Sequence, residues 1–168
     1  MPEPAYMTVK GETQGDISSG ALGVKSMGRD SKSNHENEIL VQAHDHSIMT
    51  PKDPVTGQPR GKPMHEYFTV TKPHDQASPL LYNALCSGEG LEVEIKFMRV
   101  SRDGKEEHYF TTKLTGAIIS DMKTRMPDYH DQDKKNYPVL EDITFAYKKI
   151  EWTHEGGGTA GSYTYDEA

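Results

Sequence analysis

Leu91-Glu92-Val93-Glu94-Ile95-Lys96-Phe97-Met98-Arg99-Val100, followed by Ser101-Arg102-Asp103-Gly104, is the cleanest period-two run in the chain. Leu91, Val93, Ile95 and Phe97 fall on one side and Glu92, Glu94, Lys96 and Met98 on the other. That is the pattern of a strand with one buried and one wet face. Asp103-Gly104 suits the positive φ of a tight hairpin, so the chain is predicted to return antiparallel from about Glu107 to Met122.

Further strands are read on either side of this hairpin, at Ala5–Lys10, Ile39–Ile48 and His65–Lys72, with a last long one at Ile143–Thr153. In Ile39–Ile48, alternation sets Ile39, Val41, Ala43 and Asp45 against Leu40, Gln42, His44 and His46. In Ile143–Thr153 the phase slips: Ile143, Phe145 and Tyr147 share one face, whereas Ile150 and Trp152 lie on the other. Either a β-bulge re-aims the strand or both faces are covered. Covering by a neighbouring subunit makes Tyr147, Ile150 and Trp152 candidates for a subunit interface. Gly11–Asn37 is poor in large apolar residues and reads as two polar loops around a short strand near Ile17. Lys123–Pro138 reads as a polar connection, and Gly156–Ala168 as a Gly-rich, acidic tail.

Ala77–Gly88 is the one convincing helix. Ser78 is placed as its N-cap and Pro79 at its first position, where a missing N–H costs nothing. Leu80, Leu81, Ala84 and Leu85 form one apolar stripe, and Gly88 is placed to end the helix in a left-handed conformation. So short a helix is not stable alone in water. Ser78, Pro79, Leu80, Leu81, Ala84 and Leu85 are therefore predicted to pack on the sheet. Met49–Met64 contains Pro51, Pro54, Pro59 and Pro63, which exclude helix and central strand. It is predicted to be an extended, functional loop. The whole reads as a single domain, residues 1–168. It is mainly β, an antiparallel two-sheet β-barrel of about six or seven strands with one short α-helix and a long extended loop.

Composition narrows the function. The chain has 168 residues, 33% of them hydrophobic, and a formal net charge of −7, which argues against nucleic acid or an anionic membrane as partner. No run of about 18 apolar residues offers a membrane span. Met1-Pro2-Glu3-Pro4-Ala5 lacks the basic and apolar regions of a signal peptide. Cys86 is the single cysteine, which leaves no intrachain disulfide and suits a reducing cytoplasm; a small buried hydrophobe is its simplest role. His44 and His46 share a strand face and could begin a metal site in a small β-barrel enzyme. A solvated polar face is the preferred reading, because two-residue histidine spacing is a weak signal on its own. No nucleophile elbow, phosphate-cradling glycine loop or dinucleotide fingerprint is present. The sequence assigns no catalytic, cofactor-binding or metal residue and reads as a binding or structural protein.

Longer blocks carry a resemblance. "FTVTKPHDQASPLLYNALCSGE" at Phe68–Glu89 is similar to the Hcp (haemolysin-coregulated protein) family, the tube subunit of bacterial type VI secretion. So are "PAYM" at Pro4–Met7, "ETQGDI" at Glu12–Ile17, "ILVQAHDHSI" at Ile39–Ile48, "PKDPVTGQPRGKPMH" at Pro51–His65 and "YKKIEWTHEGG" at Tyr147–Gly157. The resemblance implies a structural, non-enzymatic subunit without cofactor. It implies homohexameric rings that stack into a hollow tube, like a contractile phage tail tube, itself the rival identity. Implied partners are a spike protein, a contractile sheath and effector proteins held in the lumen. The implied location is cytoplasmic before firing, then outside the cell or in a target cell. Within this resemblance, Pro51, Asp53, Pro54 and Arg60 of the extended loop are expected to carry ring-to-ring contact, because prolines reduce the entropy lost on docking.

Overall fold

The computed structural model describes residues 3–165. Its strands are β1 (Ala5–Gly11), β2 (Gly15–Asp16), β3 (Ile39–Val41), β4 (Ala43–Met49), β5 (Met64–Pro73), β6 (Leu91–Val100), β7 (Glu106–Arg125), β8 (Leu140–Ala146), β9 (Lys149–His154) and β10 (Thr159–Thr164). The helices are α1 (Val24–Met27) and α2 (Ser78–Ser87). The alternating run is β6, and the predicted hairpin returns as β7, with Gly104 N–H bonded to the Ser101 carbonyl at 3.0 Å.

One strand organises the rest. The first half of β7 lies between β6 and β9, and its second half pairs with β8; β8 in turn pairs with β5, and β5 with β4. On the far side of β6 come β1 and then β2 and β3; β10 pairs with β9. All these ladders are antiparallel. The change of partner on β7 occurs at Gly116, whose φ is +62°; a Cβ there would meet the Lys148 side chain at 3.0–3.1 Å. Directly across, the chain breaks between β8 and β9 at Tyr147-Lys148, and Lys148 N–H bonds the Thr115 carbonyl at 3.2 Å.

This break accounts for the slipped phase of Ile143–Thr153. The segment is two strands facing two parts of one core, and no second subunit is needed to cover it. Ile143, Phe145, Tyr147 and Ile150 are all buried within the chain. A similar break corrects the predicted strand Ile39–Ile48. β3 pairs with β1 and β4 with β5, and Gln42 and Ala43 are both exposed at the junction. The alternation flips there, so Asp45 faces outward while His44 and His46 lie against Phe68. Gly156–Gly158, predicted to begin a loose tail, is the turn of the β9–β10 hairpin. The last three residues of the predicted tail lie outside the described part. Gly11–Asn37 holds α1 and two short 3₁₀ turns, and it buries Ile17, Ala21 and Leu22.

Met7, Val9, Val93, Ile95, Leu114 and Ile150 form the buried face of the β1–β6–β7–β9 region. Phe68, Val70, Ile119, Ile143 and Phe145 supply the β5–β7–β8 region. Against this core α2 sets Leu81 and Ala84 fully and Leu80 and Leu85 partly; Pro79 is exposed in the first turn. Gly88 closes the helix at φ +68°, with Glu89 N–H on the Ala84 carbonyl at 3.0 Å. Cys86 is exposed, not buried as expected.

Ser78 is not the N-cap. Ala77 holds that position, and its N–H is taken by Asp75 Oδ1 at 3.0 Å. The Ser78 hydroxyl turns inward to Glu141 Oε2 at 2.9 Å and receives Lys72 Nζ at 3.0 Å. Lys72 is fully buried. Its ammonium also donates to Glu141 Oε2 at 2.7 Å and lies 3.0 Å from Asp75 Oδ1. One cation thus joins β5, the approach to α2 and β8, and His74 Nε2 reaches the other oxygen of Glu141 at 2.8 Å. Burial raises the Asp75 carboxyl above its ordinary value; Lys72 opposes the shift and Glu141 reinforces it.

Removing one member of a buried ion cluster leaves the others uncompensated. Lys72→Met is expected to cost about 3–5 kcal/mol, and Leu81→Ala about 2–5 kcal/mol, both read from urea unfolding midpoints at constant slope. A change below about 0.5 kcal/mol for Lys72→Met would show the cluster to be relaxed by water.

Candidate functional site

Surfaces, rather than a cleft, carry the candidate residues. The Met49–Met64 loop is exposed along most of its length but internally ordered. Asp53 Oδ1 accepts the backbone N–H of Val55 at 2.8 Å and of Thr56 at 3.2 Å. Asp53 N–H bonds the Gln58 carbonyl at 2.9 Å, and Arg60 N–H the Pro51 carbonyl at 2.6 Å. Lys52 and Pro59 form an isolated antiparallel bridge. The side chain of Asp53 therefore shapes a tip that presents Val55 at 92% exposure. Pro51, Asp53, Pro54 and Arg60 all lie on this one exposed loop.

The proposed interface residues are not such a set. Ile150 is 0% and Tyr147 9% exposed in the single chain. Trp152 is half-buried and packs on the core, on the same inward face as Ile150. Ile150 and Tyr147 therefore belong to the core and have almost no area left to bury against a neighbour, whereas Trp152 keeps part of its surface open. Replacing Ile150 with Ala is expected to destabilise the chain by about 2–5 kcal/mol while leaving any subunit contact intact. Unfolding midpoints and particle mass check the two halves of that statement separately.

The histidine pair has company that its spacing did not reveal. His46 Nε2 lies 3.0 Å from Tyr147 Oη, and His65 Nδ1 bonds the same oxygen. His46 also stacks near Trp152, with ring centroids 6.4 Å apart. Burial, with the charges of His44 and His65, pushes His46 down to about 4. Burial lowers His44 and His65 as well. His44 Nδ1 is 3.1 Å from the Thr69 carbonyl. Among the described residues no three His, Cys, Asp or Glu side chains are placed to hold a metal ion.

Sequence reading missed an exposed apolar group on the 126–139 connection, where Met126, Tyr129 and Tyr137 are well exposed. Three aromatic or sulfur side chains within a polar connection were the available signal. No described helix is long and apolar enough to cross a membrane.

The family described as type VI secretion system effector, Hcp, matches residues 6–154. The chain belongs to the Hcp family. It is 45% identical over 163 residues to the major exported protein of Pseudomonas aeruginosa, covering 96% of this chain and 95% of that one. A crystal structure of an Hcp protein superposes with a TM-score of 0.95 at 40% identity, covering 99% of both chains. The secreted protein Hcp3 from Pseudomonas aeruginosa gives 0.82 at 40% identity, over 98% of this chain and 99% of that one. Hcp is a structural, secreted family of the type VI system and not an enzyme family, so the metal-enzyme reading of His44 and His46 is set aside. The mainly β, antiparallel fold agrees with these Hcp structures.

Proposed function

We propose that this Hcp chain forms hexameric rings that stack head to tail into the inner tube of a type VI secretion system and carry effector proteins in the lumen. The observation that carries the reading is the family match over residues 6–154. The placement of its projecting elements supports stacking. The extended loop leaves the sheet where Met49 pairs with Met64. The 126–139 connection leaves at the other end of β5, where Leu140 pairs with both Pro73 and Arg125. The ten residues of β5 separate the two by roughly 30 Å at about 3.3 Å per residue.

A repeat that extends without closing needs two different patches on opposite ends of one subunit. One end offers the loop tip with Val55, Lys52 and Arg60. The other offers Met126, Tyr129 and Tyr137 beside Asp128, Asp131 and Asp133. Each end thus joins exposed apolar groups to charges of both signs, since Asp53 lies in the loop and Lys134 and Lys135 lie in the connection. Pro51 and Pro54, with the Asp53 hydrogen bonds, hold the tip in shape before docking, which limits the ordering cost. The spike protein and the contractile sheath are the further partners of such a tube. The acidic balance of the chain, −7, favours neutral or basic cargo over nucleic acid.

Deleting Asp53–Lys62 is expected to leave hexamers in negative-stain images and abolish stacked tubes. Loss of the hexamer itself, or tubes of undiminished length, would overturn the role given to the loop.

A further inference from the structure

β10 is an edge strand whose hydrogen-bond partner is β9, and most of its residues are exposed. Tyr163 is its partly buried side chain. The Tyr163 ring stacks on His65 with centroids 4.8 Å apart, and Tyr165, just past the strand, follows at 5.1 Å. His65 is in turn bonded to Tyr147 Oη, which is shared with His46. The corner where β5 and β10 diverge from the β8–β9 break is thus held by two imidazoles meeting at one phenol.

We propose that His46, Tyr147 and His65 form a proton-operated clasp on the C-terminal strand, closed while both imidazoles are neutral and opened when they become imidazolium ions. A phenol carries one hydrogen. With neutral imidazoles, one ring donates its N–H to Tyr147 Oη and the other accepts the Tyr147 O–H. With two imidazolium ions, both ring nitrogens and the phenol are donors, and the Tyr147 hydrogen loses its acceptor. Two like charges then lie in a half-buried corner, with ring centroids 6.1 Å apart.

The surroundings offer those charges little. On β4, His44 adds a third imidazole and Asp45 faces the opposite side. On β5, Glu66 is engaged by the Ser47 hydroxyl at 2.6 Å. Lys148 and Lys149 follow Tyr147, and Lys149 pairs with Glu151 at 3.2 Å. β10 contributes Tyr163, with Tyr165 beyond its end. The Tyr147 and Tyr165 phenols are both raised by burial. Among the described residues no carboxylate contacts His46 or His65. The sign follows: imidazoles that bind protons less well in the closed form hold it fully above the ordinary histidine value of 6.5. The hold is lost as pH falls from there toward about 4, because the open form binds more protons.

Amide hydrogen exchange of β10, referenced to β6 in the same sample, tests the clasp in the full chain. On going from pH 7 to pH 4.5, protection of 159–164 is expected to fall about tenfold or more relative to β6, since each unit of pKa difference is a tenfold factor. The double variant His46→Gln, His65→Gln keeps hydrogen bonding to Tyr147 without a titrating proton, and its ratio should stay flat. An unchanged ratio in the unmodified chain would overturn the proposal, as would an equal loss in the variant. Should the variant fail to fold, imidazole NMR titration of the unmodified chain decides. Transitions of His46 and His65 below 6 that coincide with β10 exposure support the clasp, and titration near 6.5 with β10 still protected refutes it.

Discussion

β7 runs for twenty residues and serves two successive partners along one edge, which is possible only because the chain turns at Gly116. An L-side chain at φ +62° would be strained by about 1–2 kcal/mol, and its Cβ would press on Lys148. The opposite chain answers with its own break at Tyr147-Lys148. Everything else is hung on this crossing. β6, β1 and β9 follow the first half of β7; β8, β5 and β4 follow the second. The corner opened between β5 and β10 is where Tyr147 meets His46 and His65.

Around the β5–β8 region, polar chemistry sets the position of the helix. α2 has an apolar stripe, but a stripe alone permits sliding along the sheet. Lys72, Glu141, Asp75 and Ser78 meet in directed contacts of 2.7–3.0 Å, which fix its first turn relative to β5 and β8. Such clusters are weak contributors to net stability but strongly penalise any arrangement that separates their members. The block Phe68–Glu89, which carried the family resemblance, contains Lys72, Asp75 and Ser78 as well as the leucine stripe.

What was legible in the sequence was local. Period-two alternation placed β6, Asp103-Gly104 placed the hairpin, and Pro79 with Gly88 bracketed α2. The loop was legible through its prolines. Where strands change partners, alternation misled, because a break such as Gln42-Ala43 or Tyr147-Lys148 reverses the inward face without any change in residue type. Ser78 was read as a cap because serine before proline ordinarily caps; its hydroxyl is instead recruited by a lysine six residues earlier and a glutamate far along the chain. The same long-range logic hid the histidine corner, since Tyr147 is 101 residues from His46. β10 was missed because glycines and small polar residues give no apolar rhythm.

The proposed tube would explain why a chain with only 33% hydrophobic residues is nonetheless ordered: a wall wet on both sides needs charge and hydroxyls over most of its surface. The rigid loop at one end of β5 and the apolar connection at the other are the surfaces proposed for repeated contact between identical subunits. Native mass spectrometry of the unmodified protein at neutral pH tests that account most directly. A dominant species at the mass of a hexamer of the 18.8 kDa chain, with multiples of it as concentration rises, is the predicted result. A population that stays monomeric at every concentration would contradict it.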